Sequence, residues 1–95
     1  MILKKYTYPS VLTVAGYDGS GGAGIQADIK TISALGCYAT SVLTALPIQN
    51  TCGVKSIYDI AADAVSEQMD AVLEDILPDA IKIGMVHNNH LIHLI

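Results

Sequence analysis

The stretch VLTVAGYDGSGGAGIQADIKT, residues 11–31, decides the fold. Val11 to Ala15 is an unbroken apolar run, the composition of a strand buried on both faces of a parallel sheet. Five glycines then crowd residues 16–24, which read as a turn because glycine reaches backbone conformations closed to other residues. Ile25, Ile29, Ile32 and Leu35 follow at i, i+4, i+7 and i+10, one face of a helix. Gly36 closes that helix as a C-cap. A strand, a glycine turn and a helix, in that order, begin an α/β fold.

The rest of the chain continues the alternation. TSVLTALPIQ, residues 40–49, reads as one apolar strand rich in β-branched residues. Pro47 cannot donate to a ladder, so that end is expected at an edge, at a bulge or on a lip facing a ligand. NTCG is a turn, and VKSIYDI, residues 54–60, is a third strand with uneven burial. Residues 62–77 show the clearest helical period: Val65, Met69, Val72 and Ile76 form an inner stripe, and Glu67, Asp70, Glu74 and Asp75 face water. Asp63 falls in the first turn, where negative charge suits the helix dipole, and Pro78 stops the helix. AIKIGMV, residues 80–86, is a fourth strand. From Asn88 a further helix is expected to start and to end in mid-pattern. The order β-α-β-β-α-β-α is that of an α/β sheet with helical crossovers.

Composition narrows the function. The chain has 95 residues, of which 52% are hydrophobic, and a mean hydropathy of +0.45. Small free-standing domains expose much surface and are usually more polar, so this reads as the interior-rich piece of a larger α/β body. The net charge is −4, with five lysines and no arginine, which argues against nucleic acid, since a basic face is needed to neutralise phosphates. No apolar run approaches the roughly 18 residues of a membrane span. MILKKYTYPS lacks the apolar core of a signal peptide, so a cytoplasmic protein with reduced Cys37 and Cys52 is expected. His87, His90 and His93 have metal-like spacing but no carboxylate or thiol near them in sequence. They read as a half-exposed helix face, and no metal ligand is assigned.

Gly19, Gly21 and Gly24 satisfy G-x-G-x-x-G between a strand and a helix, the context of a dinucleotide fingerprint. Two features oppose that reading. No Asp or Glu occurs between Asp28 and Asp59 to take the ribose hydroxyls. Asp18 and Asp28, the latter expected in the first helical turn, flank the loop. A carboxylate about 4 Å from a phosphate charge costs about 4 kcal/mol at an effective dielectric of about 20. A P-loop is excluded as well, because no Lys-Ser or Lys-Thr follows the glycines. Bare backbone, carboxylates and the Gln49 amide instead suit an uncharged ligand with hydroxyl and amino groups. Gly16, Gln49 and Met85 lie at strand ends, where open α/β sheets bind ligands.

Three segments, AGYDGSGGAGIQADIKT (15–31), TALPIQNTCGV (44–54) and KIGMV (82–86), resemble the hydroxymethylpyrimidine/phosphomethylpyrimidine kinases of thiamine biosynthesis, in the ribokinase superfamily. The likeness runs over about residues 9 to 95. It implies a Rossmann-like ribokinase-type fold and ATP-dependent phosphorylation, with Mg²⁺, of the pyrimidine precursor and of its monophosphate. It implies that the pyrimidine lies against Gly16 and Ala23, takes polar contacts from Asp28 and Gln49, and packs on Met85. Pyridoxal kinases are close relatives, so a pyridine alcohol is the alternative substrate. Tyr17 replaces a small hydroxyl residue usual in the family, and Pro47 replaces a Val or Ala. Family members are more than twice as long. Residues 1–95 are therefore expected to be the amino-terminal part of one kinase domain, holding much of the substrate half of the site. The catalytic residue and the ATP site are expected outside it, leaving the piece inactive alone. The remaining alternative is a non-catalytic interaction piece whose exposed sheet edge pairs with another chain, giving a homodimer.

Overall fold

Leu12, Thr13 and Val14 have no solvent exposure at all, as expected for a strand flanked on both sides and covered on both faces. A computed structural model describes residues 8–84. These comprise β1 (Ser10–Ala15), α1 (Gly24–Ala34), β2 (Tyr38–Leu43), β3 (Ala45–Asn50), β4 (Gly53–Asp59), α2 (Ala62–Leu73) and β5 (Ala80–Ile83). β1 is the central strand of a parallel sheet ordered β2-β1-β5, with Leu12 opposite Thr40 on one side and Ile81 on the other. β3 and β4 form a separate antiparallel ribbon. The α/β class and the parallel sheet are as expected. Met85, the three histidines and the helix expected from Asn88 lie outside the described residues.

Side chains alternate across the sheet. Leu12 and Val14 point to one face, where they form the core with Val42 and with Val65 of α2; Met69, Val72 and Leu73 pack against it. Thr13 points to the opposite face and meets α1, on which Ile25 and Ile32 are buried. α1 ends as its glycine requires. Gly36 has φ +81°, the Cys37 N–H donates to the Ile32 carbonyl and the Gly36 N–H to that of Ser33, the paired bonds of a Schellman cap.

Two expectations are corrected. Residues 40–49 are not one strand: the chain leaves the parallel sheet at Thr44. The Thr44 N–H still donates to the Ala15 carbonyl, and the Tyr17 N–H donates to that of Ala45. From there the chain turns into the ribbon. An apolar run carries no mark of which sheet it joins, because both halves are buried against something. The second correction concerns α2, which stops at Leu73 rather than residue 77. Ile76 and Leu77 lie outside the helix, leading to Pro78. The residue before a proline disfavours helical geometry, so the helix cannot run through Leu77.

Gln68 of α2 binds both backbone groups of Leu43: its Oε1 accepts from the N–H at 2.8 Å and its Nε2 donates to the carbonyl at 2.9 Å. Leu43 is the last residue of β2, so this amide satisfies the sheet where the chain departs from it. Gln68→Ala should lower stability by about 2 kcal/mol, as two partly buried backbone groups lose their partners. Urea unfolding followed by circular dichroism measures it.

Candidate functional site

Beyond the C-terminal end of β1 lies a hollow of about 230 Å³, lined among others by Gly16, Tyr17, Ala23, Pro47, Gln49 and Lys82. Its wall is the β1–α1 loop. The Ile25 N–H donates to the Gly16 carbonyl at 2.8 Å, which folds the loop back so that residues 16 and 23–24 line one surface. Gly24 sits at φ +61°, and a Cβ there would stand 2.3 Å from the Gly16 oxygen. No side chain fits that approach.

Asp18 organises the loop from within. It is 6% exposed, and its carboxylate accepts from the Ser20 N–H (3.0 Å), the Ser20 hydroxyl (2.7 Å) and the Gly22 N–H (3.1 Å). The Gly21 N–H donates to the Asp18 carbonyl, and the Asp18 N–H to the Gln26 side chain. The loop donors that a phosphate would need are thus held by an internal carboxylate. The Ser20 and Gly22 N–H groups are therefore already taken and do not face a pyrophosphate. Among the described residues no three His, Cys, Asp or Glu side chains gather as a metal cluster.

Asp28 lies in the second turn of α1, not the first, so its position is not set by the helix terminus. Its carboxylate accepts from the Thr13 hydroxyl at 2.6 Å and from Lys82 Nζ at 2.9 and 3.1 Å. Gly16, Ala23 and Gln49 share the hollow, whereas Asp28 stands one layer behind it, reached through Lys82. Gln49 comes from the ribbon rather than from the end of a parallel strand. Its Nε2 donates to the Tyr17 carbonyl at 3.2 Å, tying ribbon to loop. Pro47 is buried on a strand with one free edge, one residue before the register shift at Ile48/Gln49, and it lines the hollow. Tyr17 is 40% exposed and lies across Gly19, narrowing the mouth.

Both aspartates have depressed pKa values. For Asp18 the Ser20 hydroxyl is the main cause, followed by the Ser20 N–H, and the Ala23 and Gly22 N–H groups add to it against burial. For Asp28 burial raises the value, but the Thr13 hydroxyl and the Lys82 ammonium together outweigh it. A depressed carboxyl contributes stability that is present above its unfolded value, about 3.9, and lost as pH falls through the folded one. The melting temperature should therefore hold steady from about pH 7 to about pH 5 and fall below about pH 4. Asp18→Asn should flatten that fall, as melting curves read by circular dichroism would show.

The family model described as phosphomethylpyrimidine kinase matches residues 18–95. The chain belongs to that family. It is 54% identical over 86 residues to the hydroxymethylpyrimidine/phosphomethylpyrimidine kinase of Salmonella typhimurium, covering 90% of this chain and 32% of that protein. The crystal structure of phosphomethylpyrimidine kinase from Clostridium difficile 630 superposes with a TM-score of 0.86 at 51% identity, over 90% of this chain and 37% of that one. Staphylococcus aureus pyridoxal kinase, in complex with AMP-PCP and pyridoxal, gives 0.81 at 36% identity, over 90% and 32%. The fold is that of the ribokinase-like kinases. The chain spans about a third of the length of the curated relatives it matches.

Lys82, Thr13 and the internal role of Asp18 escaped the sequence reading. For Lys82 a signal existed: it is the one charge inside the apolar run AIKIG, and a charge there calls for a partner on the facing helix.

Proposed function

We propose that the chain forms the ring-binding part of an ATP- and Mg²⁺-dependent kinase that phosphorylates 4-amino-5-hydroxymethyl-2-methylpyrimidine and its monophosphate. Residues 1–95 are then the amino-terminal part of one kinase domain. The observation that carries this reading is the shared hollow, in which bare backbone at Gly16 and Ala23 faces the Gln49 amide, with Asp28 behind. The ring lies on Gly16 and Ala23, the Gln49 amide supplies a polar contact, and Asp28 acts from behind through Lys82. The nucleotide and the metal are held by regions of the relatives that this chain does not match, consistent with a glycine loop already filled by Asp18.

The likeness to a pyridoxal-bound kinase supports a second reading, a pyridine alcohol in the same hollow. Two free cysteines suit a cytoplasmic protein, and no helix among the described residues is long and apolar enough to cross a membrane. Among the described residues β5 is an outer strand of the sheet, and we propose that its edge, beside exposed Ile81 and Ile83, pairs with a further strand, such as that of a second copy.

Calorimetric titration of the chain with hydroxymethylpyrimidine and with pyridoxal, beside a coupled ATP-consumption assay, tests the proposal. Saturable pyrimidine binding without turnover is the expected result. Turnover by the 95 residues alone would overturn the placing of the nucleotide site. Pyridoxal binding without pyrimidine binding would transfer the assignment to the second reading.

A further inference from the structure

Lys82 pairs in register with Thr13 across adjacent strands, and Asp28 of α1 meets both side chains. Two observations place Lys82 at the hollow, with its ammonium near the lining residue Gly84. Lys82 belongs to the lining and Asp28 does not. Gly84, two residues on and so on the same face of the strand, leaves the space: a Cβ there would stand 3.2 Å from Lys82 Nζ and 3.0 Å from the Ala15 Cβ. An ammonium has three donors, and Asp28 takes two. The Lys82 side chain is 52% exposed and that of Asp28 17%, so the lysine is the member of the pair that an incoming ligand meets first.

We propose that Lys82 is a further ring-contacting residue: held by Asp28, it presents its remaining N–H to a ring nitrogen or hydroxyl oxygen of an uncharged heteroaromatic ligand. This rests on the ring-site reading above and deepens it. The Asp28–Lys82 pair carries no net charge, so the hollow offers a donor beside the Gln49 amide and no unpaired carboxylate. That selects a neutral ring with an exposed acceptor over a cationic amine. The groups facing Asp28 are the Lys82 ammonium from β5 and the Thr13 hydroxyl from β1.

The test is calorimetric titration of hydroxymethylpyrimidine into the chain and into its Lys82→Met and Lys82→Arg variants, with melting curves confirming that each is folded. Lys82→Met should bind about tenfold or more weakly, and Lys82→Arg within about threefold of the parent. Affinity for the parent should be highest at about pH 8 and fall as the ring nitrogen is protonated toward about pH 5, because a protonated ring has lost its acceptor. In Lys82→Met that dependence should weaken, because the donor that needs the unprotonated ring nitrogen is gone. If Lys82 only holds Asp28, its loss would cost no more affinity for a ring bearing its acceptor nitrogen than for the analogue with carbon in that place, and equal losses for the two in Lys82→Met would overturn the proposal. Equal binding by parent and Lys82→Met would overturn it too, while leaving the ring site standing. Absence of binding by the parent would sink the ring site itself, and this inference with it.

Discussion

Gly24→Ala should cost the chain about 3–5 kcal/mol, a large share of the stability of a domain whose total is about 5–15 kcal/mol. Two penalties combine. Gly24 has φ +61°, and an alanine in that left-handed region costs about 1–2 kcal/mol. Its Cβ would also stand 2.3 Å from the Gly16 carbonyl oxygen, a backbone atom that cannot rotate away. The same oxygen accepts the Ile25 N–H that begins α1, so relieving the clash breaks the bond joining strand to helix. Gly36→Ala is the control. Its φ is +81°, yet nothing lies within 4 Å of the added carbon, so it should cost only about 1–2 kcal/mol. Urea unfolding of the two variants separates crowding from conformation, and equal losses would show that the approach to Gly16 has no energetic weight.

Asp28→Ala should cost about 2–3 kcal/mol, because it strands a hydroxyl with no access to water. Thr13 is fully buried, and Asp28 is the acceptor of its O–H; an orphaned buried donor costs about 1–3 kcal/mol. The half-exposed ion pair to Lys82 adds about 0–1 kcal/mol. Asp28→Asn keeps an acceptor for Thr13 and should cost about 1 kcal/mol. Thr13→Val in the Asp28→Ala background should recover part of the loss, since both polar partners are then gone. A double variant whose losses add to within about 0.5 kcal/mol would show that the two residues are not coupled. The same variants separate stability from binding: Asp28→Asn should keep the fold and weaken pyrimidine binding.

Gly24 and Asp28 were both visible in the sequence, but for different reasons. A strand, a glycine turn and a period of apolar residues are local patterns, so β1, the loop and α1 could be read with boundaries correct to a residue. The Gly36 cap belongs to the same kind. Asp18 was legible as a carboxylate that opposes phosphate, and the structure supplies the cause: it fills the loop's own donors. That inward turn could not be read, since an aspartate beside glycines is equally able to face a ligand. Asp28 was singled out, but not its partners, because Lys82 lies 54 residues away and Thr13 is 15 residues before it.

What the residues determined alone was everything governed by neighbours a few positions apart: the strand–turn–helix unit and the backbone conformations only glycine tolerates. Tertiary structure decided where the run 40–49 breaks, how the ribbon carries Gln49 to the β1–α1 loop, and that Asp28 meets the hollow through an ammonium. Those choices depend on which distant group satisfies a buried backbone or side-chain polar atom. Such partners are brought together by sheet order and register, and spacing along the chain does not record them.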